Sequence, residues 1–192
     1  ICQQGEIGVF ILAPMLTICI VFMPIVLRIL YSDAFLAANN FILWCCLGMM
    51  FRLASWVISY VFIAKSESIL FIISEAFGKA YFLLFNILGY KIGGLSGLGI
   101  AFVLQYAVFF LQVYLIAHYR YQFSFSISFI KPFALQTILV ASCLIIALLA
   151  DGWVKYVAGG LIILVSGSIA LVGLNNRTDF REALLSRIGR KE

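Results

Sequence analysis

The feature that most constrains this chain is its division into runs of about twenty apolar residues, because a run of that length crosses the ~30 Å of hydrocarbon in a bilayer. Six such runs can be drawn: Ile7–Leu30, Phe41–Ala64, Ile69–Gly89, Leu98–Ala117, Ala134–Ala150 and Val157–Leu174. Each is too long for a transmembrane strand of ~10 residues and none alternates with period two, so each predicts a helix that satisfies its own backbone inside lipid. Composition points the same way. The chain is 65% hydrophobic and 11% charged, against roughly one quarter charged in an ordinary soluble domain. The expected fold is an all-α integral membrane protein: a six-transmembrane-helix bundle over residues 1–174, then a basic amphipathic tail over 175–192.

The connections, "YSDAF", "KSES", "YKIGGLSG", "DGWVKY" and the longer "HYRYQFSFSISFIKPF", are short enough to make successive spans antiparallel neighbours. Lysine and arginine then divide between two sides. Lys65, Arg120, Lys131, Arg177, Arg181, Arg187, Arg190 and Lys191 fall on one side, and Arg28, Lys91 and Lys155 on the other. The richer side is the cytoplasmic one by the positive-inside rule, which puts both termini there. The net charge of +5 belongs to this asymmetry, and no soluble basic surface exists to hold nucleic acid. The chain opens on Ile1 with a span following at once and no basic n-region, which reads as the C-terminal part of a longer protein. Its five cysteines form no C-x-x-C pair and read as apolar packing residues.

Local signals refine the picture. Pro14 and Pro24 should bend or break the first span. Gly97 and Ala101, four apart in "GGLSGLG", suit close helix packing better than a phosphate loop, since no strand precedes them. "FSFSISF", Phe123 to Phe129, alternates as a strand would but has no partner strand, and reads as an aromatic interfacial segment. In the tail, Asp179 with Glu182 resembles a capping box, and Phe180, Leu184 and Ile188 recur at helical spacing opposite arginines, a pattern suited to an anionic leaflet.

Charge inside the spans carries the functional signal. At 100° per residue, Arg52, Ser55 and Ser59 share one side of the second helix with Trp56 nearby, and Met50, Val57 and Val61 should face lipid. Glu75, Lys79 and Asn86 align on the third helix, and Gln105 and Gln112 on the fourth. A charge at mid-bilayer costs ~2.5–3.5 kcal/mol on insertion scales, so such residues face a bundle interior or a watery cavity. Glu75 and Lys79 stand at i, i+4 in the favourable order, which leaves Arg52 as the uncompensated charge. Three readings stay open: an ion-pair network that fixes packing, including an Arg52–Glu75 bridge; a cationic cavity for an anionic substrate; or Arg52 snorkelling to the surface. The last two spans, without charge, look peripheral. No metal cluster, cofactor motif or extramembrane active site is evident, which argues against an enzyme.

The segment "LGMMFRLASWVISYVFIAKSESILFIISEA", followed by "YKIGGLSGLGIAFVLQY" and preceded by "EIGVFILAPMLTICIVFMPIVLRILYSDAF", resembles the C-terminal lobe of Wzx-type O-antigen flippases. These belong to the multidrug/oligosaccharidyl-lipid/polysaccharide (MATE-like) exporter superfamily. The likeness spans roughly residues 5–120. It implies spans nine to fourteen of a two-lobe transporter in the bacterial inner membrane, whose partners would be membrane lipids, a missing N-terminal lobe and an undecaprenyl-pyrophosphate-linked oligosaccharide. On that likeness Arg52 is the first substrate-contact residue, with Glu75, Lys79, Ser55, Ser59, Asn86, Gln105 and Gln112 around it. A MATE-type drug/cation antiporter and a non-transporting scaffold subunit are the alternatives.

Overall fold

A computed structural model describes residues 2–30, 38–150 and 152–175. It contains α1 (Cys2–Leu30), α2 (Asn39–Ala64), α3 (Ser68–Tyr121), α4 (Ile127–Leu149) and α5 (Val154–Asn175). By length and composition all five could cross a membrane, and this is the architecture of a multi-pass helical membrane protein. The "YSDAF" connection and the tail features from Arg177 to Lys191 lie outside the described residues.

Six separate spans were expected and five helices are found, because the runs 69–89 and 98–117 fall in the single 54-residue α3. That element is not straight. Gly93 (φ −134°, ψ 17°) and Gly94 (φ 56°, ψ −136°) leave helical geometry, and only glycine adopts the second conformation without strain. The chain reverses there into two arms, 68–92 and 95–121, that lie antiparallel in constant register. Gly97 backs onto Gly89, with Ala101 beside them. Gly78 accommodates the ring of Phe109, Gln112 Nε2 donates to the Ser74 carbonyl at 3.4 Å, and Arg120 donates to Glu67 at 2.7 Å.

At the level of the backbone the hairpin packs on α2 alone, while α1 packs on α2, α4 and α5. α2 is therefore buried on two opposite sides. Met50, Val57 and Val61, expected to face lipid, are buried. Met50 joins Val9, Ala13, Ile20 and Val140 in the main apolar core, and Gly5 of α1 abuts Val57. The outward flank of α2 is instead Trp56, Tyr60 and Ile63. A 100° count identifies faces but not which face meets a neighbour, and here two do.

α1 runs unbroken through Pro14 and Pro24, so of the expected bend or break the break does not occur. Thr17 Oγ1 donates to the Pro14 carbonyl at 2.8 Å. α4 begins seven residues before the expected 134, since Ser126 caps it by accepting from the Ser128 amide at 3.3 Å, and Pro132 lies inside the helix. Only Phe123 and Phe125 keep the extended alternation of "FSFSISF". Phe125 stacks on Phe129 and Tyr114, Phe129 on Phe133, and Phe129 is fully buried. This ladder wedges between α3 and α4. The last two helices are the least buried of the five, in keeping with the expected peripheral position. Buried Gln136 and Ser166 join them through Ser166 Oγ to Gln136 Oε1 at 2.7 Å and Gln136 Nε2 to the Ser166 carbonyl at 3.1 Å.

Helix directions alternate. Gly5 meets Phe129 and Cys143 Sγ approaches the Thr17 carbonyl, so α4 runs parallel to α1; Gly159 meets Val21 and Gly173 meets Phe10, so α5 runs antiparallel to it. Lys65, Arg120 and Lys131 thus share one end of the bundle and Arg28, Lys91 and Lys155 the other. The described basic residues divide evenly, so the expected charge asymmetry rests on the tail arginines outside them.

Two predictions follow from this geometry. Gly94→Ala should destabilise the solubilised protein by ~1–3 kcal/mol through its left-handed backbone. Gly93→Ala, with negative φ and open space around it, should stay within ~0.5 kcal/mol; thermal unfolding of both variants compares them. In a background free of other cysteines, Cys at 91 and 155 should react with an impermeant thiol reagent from one side of the membrane and Cys at 65 and 131 from the other. Labelling of 65 and 91 from the same side would contradict the alternation.

Candidate functional site

The reversal at Gly93–Gly94 fixes what faces α2. It sets the level of Lys79 and Tyr81 opposite Gln105 and Tyr106, and α2 presents Arg52 to the same level. Arg52 and Lys79, with Ser59, Tyr60, Phe71 and Glu75, line a groove of about 410 Å³, a size within the ~300–1,000 Å³ of small-ligand sites. Its outer wall on α2 is aromatic and open: Trp56 is 48% exposed and Tyr60 55%.

Arg52 lies with its guanidinium carbon 5.1 Å from the Trp56 ring centre and 5.5 Å from that of Tyr106. Each such contact contributes ~0.5–2 kcal/mol, more where water is excluded. Its Nη1 also approaches Met49 Sδ at 4.0 Å. Aromatic faces orient the cation without neutralising it. No carboxylate comes within ion-pair distance of Arg52 among the described residues, so the Arg52–Glu75 bridge does not form. Nor does Arg52 reach for the helix end; its contacts lie within about one turn of its own position.

Glu75 pairs with Lys79 at 3.9 Å. Both belong to the same arm at i, i+4, so the pair cannot fasten one helix to another. An ion-pair network that fixes helix packing is therefore not what these charges form. The formal charge of Arg52, Lys79 and Glu75 together is +1.

Of the residues singled out in the sequence, Arg52, Ser59, Glu75, Lys79 and Gln105 come together. Three do not. Ser55 is buried and donates to the Phe51 carbonyl of its own helix at 2.7 Å, Asn86 donates to the Phe82 carbonyl at 2.9 Å, and Gln112 braces the two arms. Folding the first hairpin about "KSES" sets Tyr81 near the level of Arg52 from the sequence alone. Sequence reasoning missed Phe82 and Tyr106; folding the second hairpin about Gly93–Gly94 would have placed Tyr106 there. It also missed Glu6, a carboxyl only 2% exposed near the start of α1, which lies outside the groove.

Comparison with known protein families, characterised proteins and solved structures finds no match.

Because the Glu75–Lys79 pair is long, partly exposed and local, Glu75→Gln should change the unfolding free energy by less than ~1 kcal/mol. A loss of several kcal/mol in thermal unfolding would restore a packing role for the pair.

Proposed function

We propose that this chain is the C-terminal lobe of a MATE-like, Wzx-type transporter that flips an anionic, undecaprenyl-pyrophosphate-linked oligosaccharide across the bacterial inner membrane. In this reading both arms of α3 cross the bilayer, which gives six spans, and both ends of the segment are cytoplasmic. One observation carries it: Arg52 keeps an uncompensated charge in a groove inside a membrane bundle, held in place by rings. A cation so held offers charge-assisted hydrogen bonds to phosphoryl oxygens, and Lys79 adds a second charge at the same level. Trp56 and Tyr60 provide open ring faces against which the apolar face of a sugar can lie. The missing N-terminal lobe would close the groove from the side these rings face, and rocking of the two lobes would expose it alternately to each leaflet.

Glu75 also lines the groove and is the observation that favours a drug/cation antiporter. Lys79 lies 3.9 Å from it and the local charge is positive, which weighs against a cationic cargo.

In cells carrying the full-length protein, Arg52→Ala should reduce surface-polysaccharide export by about 10- to 100-fold, the equivalent of one lost hydrogen bond to a charged group at ~1.5–3 kcal/mol. Membrane abundance of the variant should be unchanged. Arg52→Lys should recover part of the activity by keeping the charge. Normal export by the Ala variant would refute the substrate role.

A further inference from the structure

A second cavity of about 30 Å³ adjoins the groove, sharing Arg52, Trp56, Glu75 and Lys79 with it and adding Tyr81, Gln105 and Tyr106. Gln105 dominates its chemistry. The residue is 2% exposed, and neither Nε2 nor Oε1 has a hydrogen-bond partner among the described residues. The hydroxyl of Tyr81, across the hairpin, is likewise buried and unpartnered. Three other amides have partners: Asn86 in the Phe82 carbonyl, Gln112 in the Ser74 carbonyl and Gln136 in Ser166. Leaving both ends of one buried amide unpaired is strongly disfavoured. The cavity is thus shaped for atoms that bring their own hydrogen-bonding capacity. At ~10–15 Å³ for each oxygen-sized group it has room for about two.

The polar groups specify what those two atoms are. Gln105 Nε2, the Tyr81 hydroxyl and the cations Arg52 and Lys79 call for an acceptor carrying negative charge. Gln105 Oε1 calls for a donor, which an ionised phosphoryl oxygen is not. A sugar hydroxyl beside a phosphoryl oxygen supplies both. We propose that Gln105 and Tyr81 form the recognition point for a glycosyl phosphate: Nε2 and the Tyr81 hydroxyl donate to a non-bridging phosphoryl oxygen, and Oε1 accepts from a hydroxyl of the attached sugar. This rests on the reading of the groove as an anionic head-group site and adds to it. Arg52 supplies attraction to any phosphate, and Gln105 selects a phosphate that carries a sugar.

The test uses the purified full-length protein and two probes, methyl phosphate and glucose 1-phosphate, titrated calorimetrically at fixed ionic strength and about pH 8, above the second phosphate pKa of ~6, where both are dianions and only the sugar carries hydroxyls. The wild type should bind glucose 1-phosphate about tenfold more tightly than methyl phosphate, one hydrogen bond's worth of discrimination. Gln105→Leu should weaken methyl phosphate by loss of the Nε2 donor and glucose 1-phosphate about tenfold more, bringing the two affinities level, with thermal stability equal to or above wild type. Two results would overturn the assignment: no preference in the wild type, or a preference that survives in Gln105→Leu, which would mark the amide as a structural group. Arg52→Ala tests the underlying reading separately. It should weaken both probes alike, and undiminished binding of methyl phosphate would remove the anionic site whatever Gln105 does.

Discussion

The site depends on a two-residue reversal. Gly94 takes a backbone conformation closed to side chains with a Cβ, and in doing so turns one long apolar helix into two arms with a fixed register. That register, held by Gly89 against Gly97 and Ala101 at the tip and by Glu67 with Arg120 at the far end, decides that Lys79 and Tyr81 share a level with Gln105 and Tyr106. Shift it by one helical residue, about 100°, and Gln105 would leave the cavity while an apolar neighbour took its place. The chemistry of the groove is therefore set some turns away, at a point with no polar side chain.

α2 is the second element on which the arrangement depends, and its burial on both sides divides the bundle. On one side α1, α2 and α4 share an apolar core; on the other, Ile58 and Phe62 pack with Phe109 and Val113. Between these two packed faces runs the flank that carries Arg52, Trp56 and Tyr60. This flank is thus a seam, open at Trp56 and Tyr60 because neither neighbour covers them. Arg52 lies at the inner edge of this seam with an aromatic ring on each of two elements, Trp56 of α2 and Tyr106 of α3. The cation joins the helices without a counter-ion, and keeps the charge that a carboxylate would have cancelled.

Much of this was legible in the residues. Runs of about twenty apolar positions announce helices because lipid leaves the backbone no other partner. The i, i+4 spacing of Glu75 and Lys79 pointed to their pairing, although it left an Arg52–Glu75 bridge open. What the residues concealed were relations between helices. Apolar stripes look alike whether they meet lipid or another helix, so Met50, Val57 and Val61 could not be told from lipid-facing residues. The stretch to Phe133 reads as a connection, yet Ser126 caps α4 well before its end. The aromatic partners of Arg52 were hidden for a related reason: Tyr106 becomes its neighbour only after two chain reversals. Gln136 and Ser166 carried no charge, and a single polar residue on an apolar helix does not name its partner.

That last pair has a further consequence. α4 and α5 offer each other mostly aliphatic surface, and aliphatic surface alone resists sliding weakly, since one turn forward brings similar groups into contact. Gln136 and Ser166 exchange two hydrogen bonds at one depth. A slip of a single turn, about 5.4 Å, would strand an amide and a hydroxyl in hydrocarbon with nothing to accept or donate. The pair thus acts as an index mark: it selects one axial alignment among several that packing alone would tolerate.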